Sequence, residues 1–252
     1  MPTLVAALCI IAVALLISGI RSRTSTRGRS ARQPQRIYDW IDREICDMRT
    51  RISEGEIRHR IDRRDSPIRL SPGYIYLLLQ RGEVDHVAEV ISRQFGLKFK
   101  TVSVEFDPEI QQRSCSVHRA AGLVEVSDTW DGIYADIHID SRYRSSPEQV
   151  GAILAHELAH VLLTTLDIYG DGLEIERRTD LAGYVCGMGK LALNGFQGAS
   201  RLGYLEGQEM AYSYASVCQY DHITFEDAVD GLCESAKHLL ASYQRSWEHN
   251  SR

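Results

Sequence analysis

GAILAHELAH, residues 151–160, holds two histidines four positions apart with a glutamate directly after the first. Residues i and i+4 of an α-helix lie one above the other, so His156 and His160 can turn both imidazoles toward one point, the spacing of a two-histidine metal chelate. Glu157 sits about 100° around the helix from His156, where its carboxylate can reach a metal-bound water without ligating the ion. Leu158 and Ala159 are left to pack inward with Ile153, Leu154, Val161 and Leu162. A chance HExxH arises on the order of once in a hundred chains of this length, so the pattern alone does not separate a metal site from an amphipathic helix that carries histidines. The decision falls to a third ligand.

SSPEQV (145–150) supplies a serine cap, Pro147 at a first-turn position and Glu148 near the positive end of the helix dipole. This predicts a helix from there to about Leu166, ended by the loop LDIYGDG (166–172). The metzincin pattern asks for glycine at 163 and a ligand at 166, and both positions are leucine, which excludes it. The other common arrangement draws a glutamate from a following antiparallel helix. LEIERRTDLAGYVCGMGKLAL (173–193) reads as that helix, and its Glu176 lies 16 residues beyond His160, enough chain to finish one helix, turn and return. Asp180 follows one turn later on the same face, where a carboxylate can accept the second N–H of a liganding histidine. Glu174 is the rival donor, but its i+4 partner is Arg178, which cannot do this.

With HELAH at 156–160 and ERRTD at 176–180, the chain resembles the gluzincin metallopeptidases. That HExxH plus ExxxD class includes the thermolysin-like and HtpX-like membrane proteases, and the likeness extends to the small single-domain minimal gluzincins, whose activity is often held in check. The resemblance is carried by residues 145–195 and is architectural elsewhere. It implies an α+β, zincin-like fold: a small antiparallel or mixed sheet packed on the active-site helix, with a helical C-terminal part. It further implies one zinc ion (Zn2+) per chain held by His156, His160 and Glu176, with Asp180 orienting His156 and Glu157 acting as general base on a polypeptide substrate. Three protein ligands leave one position for water, whose pKa the ion brings to about 7 while it polarises the scissile carbonyl. A catalytically silent zincin-fold module, binding or regulatory, is the alternative, and the intact Glu157 favours the enzyme. IYADIHID (133–140), the last strand before the helix, is expected to be the edge on which an extended peptide adds, with His138 an ordinary face residue. For the oxyanion, Tyr204, Tyr212, Tyr214 and His222 all stand as candidates.

The rest of the chain sets the context for that site. Residues 4–20, LVAALCIIAVALLISGI, carry no charge and span about 25 Å as a helix, just enough for a bilayer. MPT before them has no basic residue and no small-residue cleavage site follows, so a retained anchor is expected rather than secretion after signal cleavage. Six arginines and no acid in residues 21–36 keep that side cytoplasmic and suit anionic lipid headgroups, which places the N-terminus outside. Residues 1–70 hold 14 basic and 8 acidic side chains, whereas residues 71–252 hold 15 and 26, a net of −11. An acidic body argues against nucleic acid as partner.

Six cysteines without a CxxC pair imply no disulfide framework. Ile37, Ile41, Ile45, Met48 and Ile52 form one helical stripe in the 21–70 segment, read either as a stalk or as a helix packed on the body. The body, a metallopeptidase domain over 71–252, begins after SPG (71–73). It is expected to hold a helix at 85–96, strands at 97–106, 122–127 and 133–140, and later helices at 206–220 and 225–247. The sequence leaves oligomeric state open.

Overall fold

The computed structural model of the chain describes residues 32–57, 70–110, 121–196, 202–244 and 247. The apolar run 4–20 and the linker up to residue 31 lie outside them. Among the described residues no helix is long and apolar enough to cross a membrane.

Helix α1 (Arg32–Ile57) turns Ile41, Ile45, Met48 and Ile52 into the main core, all at most 4% exposed. Of the two dispositions left open for this stripe, packing on the body is the one adopted. Full burial of each such side chain is worth about 1.5–3 kcal/mol over exposure. The helix is also pinned at its polar flank. Arg178 reaches the Glu44 carboxylate with Nε at 2.9 Å and Nη2 at 3.2 Å, and the Tyr212 hydroxyl donates to Asp42 at 2.7 Å.

SPG does more than punctuate: Pro72 opens helix α2 (Pro72–Gln80), where its missing N–H costs nothing. Helix α3 (Val84–Phe95) stops at Gly96, whose left-handed backbone (φ 74°) returns its N–H to the last turn. Strands β1 (Thr101–Asp107), β2 (Gly122–Thr129) and β3 (Gly132–Asp140) form one mixed sheet in the order β1-β3-β2. β3 runs parallel to β1 and antiparallel to β2, the latter pair closing at Thr129 and Gly132. Ala135, Ile137 and Ile139 alternate onto the covered face. The expected edge strand at 133–140 is thus a correction: β3 has its ladder occupied on both sides, and the edge beside the helix that carries His156 and His160 is β2.

Helix α4 (Pro147–Thr165) runs through the centre of the molecule, with Leu154, Leu158 and Leu162 fully buried. Helix α5 (Gly172–Val185) comes back along it, followed by α6 (Gly189–Gly195). The single helix expected over 173–193 is broken because Gly187 takes φ 88° and Met188 donates back to Gly183 at 2.9 Å. Gly195 is required where α6 crosses α4, since a Cβ there would collide with that of Ala152. Helix α7 (Gly207–Tyr220) opens with a reciprocal cap between Glu206 and Glu209. The helix expected over 225–247 divides into α8 (Phe225–Val229) and α9 (Glu234–Ala241) around Gly231, φ 72°. The chain is therefore an α+β protein, mostly helical around a three-stranded sheet.

Candidate metal centre

Packing on nearly every side locks α4, and the two histidines stand on the strip that remains open. His156 and His160 point at each other and at α5. His156 Nε2, His160 Nε2 and Glu176 Oε2 lie 3.2 Å apart on all three edges of a triangle. Linear hydrogen bonds cannot satisfy such a trio, because a proton can point along only one edge. A tetrahedral ion with bonds of about 2.0–2.1 Å needs donors spaced about 3.3 Å apart, which this triangle matches closely. Among the described residues, these three side chains form the group able to hold a metal ion.

The electrostatics favour positive charge at that point. Burial opposes ionisation of Glu176, but the imidazoles of His156 and His160, each 3.2 Å away, pull its carboxyl down to about 2. Burial also works against charge on His156, yet Asp180 and Glu176 hold that imidazole well above its ordinary value. Glu157 is raised, chiefly by burial, against the opposing pull of the two histidines and with a further push from Glu176.

The surrounding partners orient each donor. His156 Nδ1 meets Asp180 Oδ1 at 2.8 Å, and the other oxygen of Asp180 accepts the backbone N–H groups of Tyr204 at 2.6 Å and Leu205 at 3.1 Å. Gly203, at φ 95°, lets the 202–206 segment approach that carboxylate, where a Cβ would come within 3.1 Å of Oδ2. Asp180 therefore joins a histidine on α4 to a loop far away in the chain. Thr179, fully buried, places its hydroxyl 3.1 Å from His160 Nδ1.

No protein-family model, characterised protein or solved structure matches this chain.

Glu157 is 8% exposed and lies beside the triangle at the start of β2. A Cβ on Gly122 would stand 2.6 Å from Glu157 Oε1 and 2.7 Å from Ile153 Cγ2, so only glycine lets the strand come this close. A groove of about 1250 Å³ runs past the trio, with Glu157, Val124 and Tyr204 among its walls. The four oxyanion candidates separate here. The Tyr204 ring stacks 5.7 Å from that of His156 and lines the groove, whereas Tyr212 is bonded to α1 and the Tyr214 hydroxyl to the Ala228 carbonyl at 3.0 Å. His222 does not line the groove. His138 faces away from α4, with Nδ1 3.8 Å from Glu105, outside the trio. Glu174 pairs with Arg178 at 3.0 Å, also outside it. None of the four cysteines among the described residues forms a disulfide.

Sequence reasoning missed Thr179, Gly122 and the backbone donors at 204–205. Thr179 left one usable trace, a small polar residue three positions after Glu176 on an otherwise inward face. The glycine at the head of a strand was a second trace.

Proposed function

We propose that the chain is a zinc-dependent metallopeptidase of gluzincin type with a zincin-like fold. Residues 4–20 would anchor it in a membrane, with the folded part on the cytoplasmic side. The observation that carries the reading is the 3.2 Å triangle of two imidazole nitrogens and one carboxylate oxygen, with a buried carboxylate at its side. The donor set suits zinc: nitrogen and oxygen ligands, three from the protein, at tetrahedral spacing. His156, His160 and Glu176 would hold the ion, which when bound supplies Lewis acidity toward a carbonyl and acidifies water.

The chain's own groups supply the remainder. Asp180 and Thr179 orient the two imidazoles. Glu157 takes the proton of the attacking water and returns it to the leaving amine, a role that its raised proton affinity suits. The phenol of Tyr204 stays protonated, because burial and the nearby Glu176, Glu157 and Asp180 raise its pKa, so it can donate to a developing oxyanion. β2 pairs with β3 along one side only among the described residues, and its other side is where an extended peptide would add by backbone hydrogen bonds. Glu157 lines the groove beside the trio and its proton affinity is raised, which supports turnover over a silent module.

Removal of metal tests the reading. Hydrolysis of an unstructured protein such as casein is expected to vanish after dialysis against a zinc chelator and to return with one equivalent of zinc. Full hydrolysis by chain shown to be metal-free would refute the proposal. Gly122→Ala probes the carboxylate separately. Because the new methyl displaces either Glu157 or β2, kcat is expected to fall by up to about 100-fold while zinc content is unchanged. Unaltered kcat in that variant would remove the close approach of β2 from the mechanism.

A further inference from the structure

Each imidazole of the trio has a partner behind it, and the two partners differ in kind. His156 backs onto a carboxylate, while His160 backs onto a neutral hydroxyl. The Thr179 hydroxyl has one proton, and it lies 2.9 Å from the Ile175 carbonyl, one turn earlier on α5. A helical threonine gives its proton to that carbonyl, which leaves the oxygen free to accept. Toward His160 Nδ1, 3.1 Å away, the oxygen then acts as acceptor, so Nδ1 carries the hydrogen and Nε2 turns a lone pair into the triangle.

We infer that Thr179 is the positioning residue for His160, holding its Nδ1–H and so presenting Nε2 to the ion. The inference deepens the metal reading and rests on it. Thr179 is completely buried, and α5 supplies it together with Glu176 and Asp180. One turn of helix therefore delivers the third ligand and the orienting partner of each histidine. The asymmetry has a consequence. Asp180 makes His156 more basic as well as fixing it, whereas Thr179 selects a tautomer and a ring direction without adding charge.

Two measurements on the full chain in detergent test this. First, NMR of isotopically labelled histidine nitrogens in chelator-treated protein should find neutral His160 protonated on Nδ1. The Nε2–H form, which free histidine prefers, would overturn the inference whether or not any variant folds. Second, zinc affinity is measured by competition with a chromophoric chelator. Thr179→Val keeps the shape and is expected to weaken zinc binding about tenfold or more, whereas Thr179→Ser restores the hydroxyl and should stay within about threefold of the parent. Equal losses in both variants would assign the effect to packing of the methyl group and overturn the hydroxyl's role, as would parental affinity in a folded Thr179→Val chain. A parent chain that takes up no zinc would overturn the metal reading itself, a result distinct from the tautomer found by NMR.

Discussion

Glu176→Ala is expected to leave a folded chain that no longer retains zinc through desalting, where the parent carries about one ion. The expectation follows from what the carboxylate contributes to the triangle. Glu176 is its only anionic corner and is within 3.2 Å of both ring nitrogens. Without it two imidazole nitrogens remain, and a site of two donors no longer encloses the ion. Loss of an orienting partner costs about 10–100-fold in metal affinity, so the loss of a ligand should exceed that range. Asp180→Asn supplies the comparison. It keeps the shape but weakens the bond behind His156, and it is expected to fall within that range. Glu174→Ala is the control, since Glu174 is committed to Arg178 away from the trio. Competition titration on the three variants orders them. Parental affinity in Glu176→Ala, or loss in Glu174→Ala, would identify the wrong carboxylate and with it the wrong third ligand.

That carboxylate was legible because the information was local. A helix period, a start at Ser146-Pro147 and a loop of fixed length place Glu176 and Asp180 opposite α4 before any tertiary contact is known. Strand order was not legible in the same way. Three alternating segments can be seen in the sequence, but nothing within 133–140 shows that β1, a distant segment, pairs on its far side and makes β3 central. The long C-terminal helices were over-extended for a related reason. Apolar periodicity continues through Gly187 and Gly231, and only the left-handed backbone at each reveals the break. Nothing in the sequence placed the Tyr204 ring, among the four candidates, beside His156; that follows from the 202–206 segment folding back onto Asp180. For α1, the apolar stripe was plain, whereas the choice between stalk and body depended on partners such as Arg178 and Tyr212, more than a hundred residues away.

Glu157→Gln separates binding from chemistry and is the second large effect expected. The amide has the carboxylate's shape, so the close contact with Gly122 and the packing against Ile153 persist. Zinc content should stay at the parental level because Glu157 is no corner of the triangle. What disappears is the ability to accept a proton, and general-base catalysis by a positioned group is worth about 10²–10⁴ in rate. The fall should appear in kcat, with KM little changed, since the groove and the β2 edge are untouched. Glu157→Asp makes the complementary test: it retains a base but draws it back from the trio by one methylene, so it should lie between parent and Gln in rate. A Glu157→Gln chain that hydrolyses peptide at the parental rate would show that the proton goes elsewhere. The Glu157 carboxylate, 8% exposed in the wall of the groove, would then need another explanation.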